Sequence, residues 1–341
     1  MKVLITGGVG FIGTNLANRL LRDGSQVVLF DNLGRAGVEQ NLDWLRAQHG
    51  SRIHFIKGDV RDFDAVEKAV QGAELVFHLA AQVAVTTSVT KPQEDFSINA
   101  QGTVNILEAA RKQTPMPIVL YTSTNKVYGG VEHLRVVERP TRYEFENLPH
   151  GVSETCPLDF HSPYGCSKGA ADQYVHDYHR IYGLPTIVFR MSCIYGPHQF
   201  GTEDQGWVAH FVLTGLRRGR LTIYGDGKQV RDLLYVEDLV ELISRACANI
   251  ERTAGQVYNV GGGPTNTISV WTELQDQLRE VLEKLPSVDY GAFRPGDQRI
   301  YVSDIRKAHE HLGWAPRVDV VEGVRRMVEA LRENRKSALA P

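Results

Sequence analysis

The sequence predicts an α/β fold, a doubly wound parallel sheet followed by a smaller C-terminal lobe. Three observations carry that expectation. Short apolar runs alternate with helical patterns through the first half of the chain. A glycine-rich turn joins the first of those runs to the first helix. Past Ser192 the alternation loosens into shorter elements separated by glycine-rich turns.

The runs at residues 3–5, 27–30, 53–56, 75–79, 118–121 and 186–189 are too short for helices and apolar throughout, as strands of a covered parallel sheet are. Helical spacing separates them at 11–21, 65–70 and 98–111. Alternation of this kind implies right-handed crossovers and a sheet wound on both sides. In the second half, turns at Tyr224-Gly225-Asp226-Gly227 and Gly261-Gly262-Gly263-Pro264 flank helical patterns at 236–248, 269–285 and 321–333. The predicted division is a first domain over 1–191 and a mixed α/β lobe over 192–333, with the chain crossing between the two. The second lobe is expected to close over the carboxyl edge of the sheet, where open α/β folds bind ligands. Residues 334–341 are expected to fray.

Composition narrows the classes of function. At 341 residues, with 42% apolar and 23% charged residues, the chain can bury a sizeable core. Its formal charge of -2 offers no basic field for nucleic acid or an anionic membrane. The four cysteines, Cys156, Cys166, Cys193 and Cys247, form no CxxC pair and no His/Cys ligand spacing. Neither a metal site nor a disulfide framework is expected, and thiols of this kind suit a reducing compartment. Met1 runs directly into the first strand, with no signal peptide and no membrane-length apolar run. A cytoplasmic location is expected.

The glycine-rich turn reads Thr6-Gly7-Gly8-Val9-Gly10-Phe11-Ile12-Gly13. A tight turn, close backbone approach to a pyrophosphate, and close packing of helix on strand each call for a glycine, here Gly7, Gly10 and Gly13. Phe11 and Ile12 open the helix whose free N–H groups face the phosphates. Asp31, with Asn32 beside it, ends the second strand where an acid can bind the adenosine ribose 2′-OH and repel the extra phosphate of NADP. The pattern predicts a Rossmann-type site for NAD. Asp59 and Val60 after the third strand, and Leu79, Ala80 and Ala81 after the fourth, suit adenine and ribose contacts.

Tyr164-Gly165-Cys166-Ser167-Lys168 sets a phenol and an ammonium four residues apart on one helical face. A tyrosine near 10 is a weak base at neutral pH, and a neighbouring Lys⁺ together with the nicotinamide ring of NAD⁺ would lower it. The same spacing occurs on ordinary solvated helices. Its company here is Tyr121-Thr122-Ser123-Thr124-Asn125-Lys126-Val127-Tyr128-Gly129 at the end of the fifth strand, where a hydroxyl can bond the reacting oxygen.

Glycine loop, strand-end hydroxyl and Tyr/Lys helix in this order resemble the extended short-chain dehydrogenase/reductase family, the NAD-dependent epimerases and dehydratases. The resemblance runs from Val3 to about Trp314. It implies Thr124, Tyr164 and Lys168 as catalytic residues, with Thr122, Tyr164 and Lys168 also touching the cofactor. Ser123 becomes a supporting residue.

Tyr224–Asp232 and Arg294-Pro295-Gly296-Asp297 resemble the nucleotide-sugar branch of that family. The resemblance makes Arg231 and Arg294 a clamp on the substrate pyrophosphate, which suits the guanidinium fork. Family dehydratases carry Thr-Asp-Glu before Val-Tyr-Gly; here Thr124-Asn125-Lys126 lacks the acid pair, which disfavours dehydration. The segment 158–174, with Asp204–Val208 and Asp297-Gln298-Arg299, is similar to CDP-tyvelose (CDP-paratose) 2-epimerases. That resemblance implies inversion at C2 of a CDP-linked dideoxyhexose through a keto sugar. Other NDP-hexoses, 4-epimerisation, reduction, or a non-catalytic NAD sensor stand as alternatives.

Asn125, His161 and Gln199 are further candidates for substrate contact. His161 can instead serve the loop structurally, and His198 and Gln199 share that ambiguity. The stretch 130–150 reads equally as a lid or as a solvated insertion. By resemblance the assembly is a homodimer or homotetramer, paired through a face carrying Tyr174, Tyr178 and Tyr182.

Overall fold

The structure is a computed structural model that describes residues 1–294 and 297–339, with side chains through 333. The chain forms two compact units. The first gathers Met1–Val127, Phe160–Arg190 and Val240–Tyr258; the second gathers Tyr128–Asp159, Met191–Leu239 and the chain from Asn259 onward. Two segments, 128–159 and 240–258, thus lie across the predicted boundary at 191/192. Each follows its hydrogen bonds. Gly255 N donates to Thr186 O at 2.7 Å as the chain returns to the sheet, whereas Val152 N donates to Val302 O at 2.8 Å in the second unit.

In the first unit a seven-stranded sheet has the spatial order Gln256–Val260, Thr186–Met191, Ile118–Thr124, Leu75–His78, Lys2–Thr6, Gln26–Asp31, Ile53–Lys57. The order steps outward in both directions from the first strand, the arrangement a doubly wound α/β protein requires. The strand Lys2–Thr6 is parallel to both neighbours, with Thr6 opposite Phe30 and His78. All carboxyl ends of these paired strands therefore share one edge. One face is covered by Val66, Ala69 and Val70 of helix Phe63–Val70 and by Ile106, Leu107 and Ala110 of helix Gly102–Arg111, packed on Leu4, Val28, Val76 and Val119. Each valine, leucine or isoleucine among them contributes roughly 1.5–3 kcal/mol on burial.

Several predicted helices shift. The segment expected at 98–111 opens with a π-turn, Ser97–Gln101, before the α-helix begins at Gly102. Val38–His49 and the short helices Val85–Thr90 and Pro92–Phe96 escaped the sequence pattern. The helix expected at 269–285 is a strand, Thr267–Ser269, followed by helix Leu274–Val281. Between the two, Ser269 and Glu273 exchange hydrogen bonds across the turn: Ser269 N donates to Glu273 Oε2 and Glu273 N donates to Ser269 Oγ, both at 2.9 Å. The last helix runs Val320–Leu339, so its backbone continues through most of the stretch expected to fray; residues 340 and 341 lie outside the described chain.

In the second unit, strand Val230–Tyr235 is the organiser. It pairs with Thr267–Ser269, Ile300–Tyr301 and Cys193–Tyr195. The 130–150 stretch is neither a free lid nor a solvated insertion. It forms a hairpin, Val136–Glu138 against Tyr143–Phe145. Tyr143 is buried on Val230, Ile300 and Val302, and its hydroxyl donates to Asp226 Oδ2 at 2.6 Å. Arg142 pairs with Glu273 at 3.0 Å and Lys228 with Glu138 at 2.7 Å.

Candidate active site

The glycine loop leaves the carboxyl end of strand Lys2–Thr6. Gly7 adopts φ +66°, and a Cβ there would sit 2.8 Å from Ala80 N, so only glycine allows the loop to lie against the segment after the fourth strand. A Cβ on Gly13 would meet Gly7 O at 2.3 Å, which sets how closely the helix packs on the loop. Gly10 differs. It is the N-cap of helix Phe11–Arg22, supplies no side-chain cap, and a Cβ there would have Gly7 O alone nearby, at 3.1 Å. The first turn, with Phe11 and Ile12, therefore presents bare backbone N–H groups that can take a phosphate.

Asp31 closes its strand and accepts from Leu33 N at 2.9 Å and Val9 N at 3.3 Å. Burial pushes its carboxyl above the usual range, against the pull of those two donors. Asn32 donates to Asp59 Oδ2 at 2.9 Å, while Arg61 grips the same carboxylate at 2.7 Å through Nη2. Those hydrogen bonds hold Asp59 well below the usual carboxylate range. Val60 is buried against Gly102, where a Cβ would meet its Cγ2 at 2.6 Å. Leu79 N donates to Thr6 O at 3.1 Å and Ala80 N to Thr6 Oγ1 at 3.2 Å, which seats Leu79, Ala80 and Ala81 beside the glycine loop.

Strand Ile118–Thr124 and helix Ser162–Tyr182 bring the reactive residues together. Thr124 is buried, and its hydroxyl lies near enough to the Tyr164 phenol to favour the phenolate. Lys168 Nζ donates to Thr122 O at 2.6 Å and lies 4.2 Å from the centre of the Tyr121 ring. Thr122 in turn donates to His78 O at 3.3 Å. Burial dominates the electrostatics. It pushes the Tyr164 phenol up to about 12, opposed by the Thr124 hydroxyl. It pulls the Lys168 ammonium down to about 7, opposed by Asp172 and Asp95. The lowering of Tyr164 expected from Lys168 and NAD⁺ together belongs to the cofactor-bound site; in the chain itself the ammonium donates to the Thr122 carbonyl.

The other candidates are placed as follows. Asn125 is buried at the start of the turn Asn125–Tyr128, with its Oδ1 3.4 Å from Thr124 Oγ1. His161 is the N-cap of the Tyr164 helix, yet its side chain makes no capping hydrogen bond. Gln199 is buried, donates to Ile194 O at 3.2 Å, and its Oε1 has no partner among the described residues. Burial pulls the neighbouring His198 down to about 4. Arg231 is buried and paired with Asp297 at 2.9 Å. Arg294 lies 3.7 Å from the Tyr224 ring centre and pairs with Glu203 at 3.1 Å and Asp204 at 3.5 Å. Both arginines are paired with acids. Among the described residues no cluster of three or more His, Cys, Asp or Glu could hold a metal ion. Among them, too, no helix is long and apolar enough to cross a membrane.

A layer behind the reactive pair was not anticipated from sequence. Ser88 Oγ accepts from Tyr164 N at 3.1 Å, and Asp95 and Asn99 engage Ser167. The available signal was Asp95 and Asn99 at helical i, i+4 spacing just after Pro92, which favours a helix start.

A sheet wound outward from a glycine loop, with a Thr/Tyr/Lys cluster on its fifth strand and following helix, defines the NAD-dependent epimerases and dehydratases of the extended short-chain dehydrogenase/reductase family, and the chain belongs to it. The family described as GDP-mannose 4,6 dehydratase matches residues 4–327. CDP-paratose 2-epimerase of Salmonella typhi is 43% identical over 96% of this chain and 98% of its own. UDP-glucose 4-epimerase of Mycolicibacterium smegmatis is 34% identical over 97% of this chain and 99% of its own. Among solved structures, the Thermus thermophilus UDP-glucose 4-epimerase complex with NAD matches with a TM-score of 0.81 and 33% identity, covering 97% of this chain and 99% of that one.

Proposed function

We propose that this chain is an NAD-dependent nucleotide-sugar 2-epimerase that inverts C2 of a CDP-linked dideoxyhexose, converting between sugars of the CDP-paratose and CDP-tyvelose type. The observation that carries the reading is the strand end itself. Thr124 closes the strand beside Tyr164, and the next two residues are Asn125 and Lys126, where elimination of water would need a carboxylate pair. The 43% identity to a CDP-paratose 2-epimerase supports the same carbon and the same base.

The residues fit NAD. Gly10 leaves a bare helix N-terminus for the pyrophosphate, and Asp31 offers a carboxylate suited to a ribose 2′-OH and repulsive to a 2′-phosphate. Bound there, the cofactor supplies a reversible hydride acceptor. Tyr164 takes the proton from the C2 hydroxyl as the C2–H bond breaks, and Thr124 donates a hydrogen bond to the same oxygen. Lys168, fixed by the Thr122 carbonyl, contributes the positive charge that favours Tyr164 as the phenolate before it takes that proton. Reversal on the opposite face of the keto sugar returns proton and hydride, so the sequence is redox-neutral overall. Arg231 and Arg294 bind the substrate diphosphate; each exchanges part of its carboxylate company for phosphate oxygens. Asn125, Gln199 and His161 are placed by the same reading at the sugar. A homodimer paired through helix Ser162–Tyr182, where Tyr174 and Tyr182 are exposed, and a cytoplasmic location complete it.

Incubation with CDP-paratose and, separately, UDP-glucose tests the proposal, with C2 and C4 configuration followed by NMR. Inversion at C2 of the CDP sugar without added cofactor is expected. Inversion at C4 with C2 untouched on both substrates would overturn it. Retention of C2 deuterium in the product distinguishes oxidation at C2 from enolisation through a neighbouring ketone.

A further inference from the structure

Behind Lys168 lie two acids, and they differ in what holds them. Asp172 is fully buried and accepts from Arg190 at 2.8 and 2.9 Å, with Arg190 itself buried. Asp95 is equally buried, but its recorded donors are neutral. Gln82 Nε2 and Asn99 Nδ2 donate to Oδ1, each at 3.1 Å, and Ser167 Oγ donates to Oδ2 at 2.5 Å. Asn99 Nδ2 also reaches Ser167 Oγ at 3.1 Å and Gln82 O at 3.0 Å, and Gln82 N donates back to Asn99 Oδ1 at 2.9 Å. One carboxylate thus joins the segment after the fourth strand to the turn of the catalytic helix that carries both Tyr164 and Lys168.

We propose that Asp95 is a positioning residue for catalysis, which locks Ser167, and through it Lys168, against the Gln82–Asn99 side of the site. The inference rests on the Tyr164/Lys168 reading above and extends it to a residue outside that cluster. Three neutral donors satisfy an ionised carboxylate, whereas a protonated acid would have to turn one of these contacts around. A buried anion without a guanidinium partner keeps its field, while the Asp172–Arg190 pair is neutral as a unit. The acids that act on Lys168 are Asp172 and Asp95, and the Tyr121 ring lies against its ammonium. His78 also lies within its field, and burial keeps that imidazole neutral by pulling it down to about 3. Of the two acids, Asp172 acts the more strongly on Lys168. Asp95 is the one that, among the described residues, takes only neutral side-chain donors, with burial raising its own carboxyl above the usual range. It favours the protonated lysine, the form that stabilises a phenolate on Tyr164, at pH values where burial alone would remove the proton.

The test is a titration of Lys168 by NMR on enzyme labelled with ¹³C at lysine Cε, with the resonance assigned by its loss in Lys168→Arg. Asp95→Asn is expected to lower the Lys168 pKa by about one unit. Ser167→Ala keeps the charge, and is expected to leave that pKa within a few tenths while lowering turnover through loss of alignment. An unchanged Lys168 pKa in a folded, NAD-retaining Asp95→Asn enzyme overturns the proposal. If Asp95→Asn fails to fold, Asp95→Glu decides, because it restores charge but not geometry. Retained pKa with reduced turnover supports positioning, and wild-type turnover refutes it. Since the lysine titration needs no substrate, a wrong assignment of the sugar would leave this result standing.

Discussion

Lys168 and Tyr164 in the first unit are buried, and their ionisation is displaced by that burial. Arg231 and Arg294 in the second unit meet carboxylates directly. The difference follows from the task each set is proposed to perform. A proton-transfer pair must have two accessible states, so its environment leaves charge poorly compensated and its pKa values movable. A phosphate clamp needs one permanent state, which guanidinium provides, and acids such as Asp297 hold the forks in place until an anion competes.

The largest expected effect comes from breaking the first of these arrangements. Tyr164→Phe keeps the ring and removes the hydroxyl beside Thr124, so turnover should fall by about 10³-fold while the thermal midpoint barely moves. Full activity in an epimerisation assay would place the chemistry elsewhere. Arg294→Gln acts on the second arrangement. It should raise KM for the nucleotide sugar roughly 10–100-fold with kcat kept, the signature of uniform binding lost, and steady-state kinetics would show it. A drop in kcat instead would mean that the clamp takes part in the chemistry.

Acid sensitivity is expected in both units. His78 is held neutral between Thr6 and Thr103, with its pKa pulled down to about 3, and His198 is pulled down to about 4. The unfolded chain binds protons at these histidines as pH falls below 6.5 and the folded chain does not. Stability should therefore be full above about 6.5 and decline as pH drops toward the folded values. Urea midpoints at pH 7.5, 6 and 5 should fall in that order. The smallest effect is structural. Tyr143→Phe removes the bond to Asp226 from the hairpin beside the Arg231 strand, which costs about 1 kcal/mol and lowers the thermal midpoint by roughly 2–4 °C in a melting experiment.

Much of the first unit was legible because its signals are local. An apolar run bounded by turns is a buried strand wherever it packs, and the positive φ of Gly7 is a backbone requirement that glycine meets without strain. The Tyr164/Lys168 spacing is likewise a property of one helix. The 267–281 region misled because Ser269 and Glu273, which look like ordinary helical residues, exchange hydrogen bonds across the turn that precedes the helix. The 130–150 hairpin was ambiguous because its stability comes from distant partners, Asp226, Lys228 and Glu273.

What the sequence by itself determined is the fold class, the glycine cradle and the order of hydroxyl, phenol and ammonium along the chain, since each depends on contacts a few residues apart. Only the tertiary structure decided how those groups are charged. Whether Lys168 faces Tyr164 or a carbonyl, and whether Arg231 is free or paired, depends on burial and on partners far away in sequence. The same holds for Asp95, which stands 72 residues before the Ser167 it accepts from. Desolvation and long-range pairing have no signature in a linear pattern, because they arise only when the chain has closed around the site.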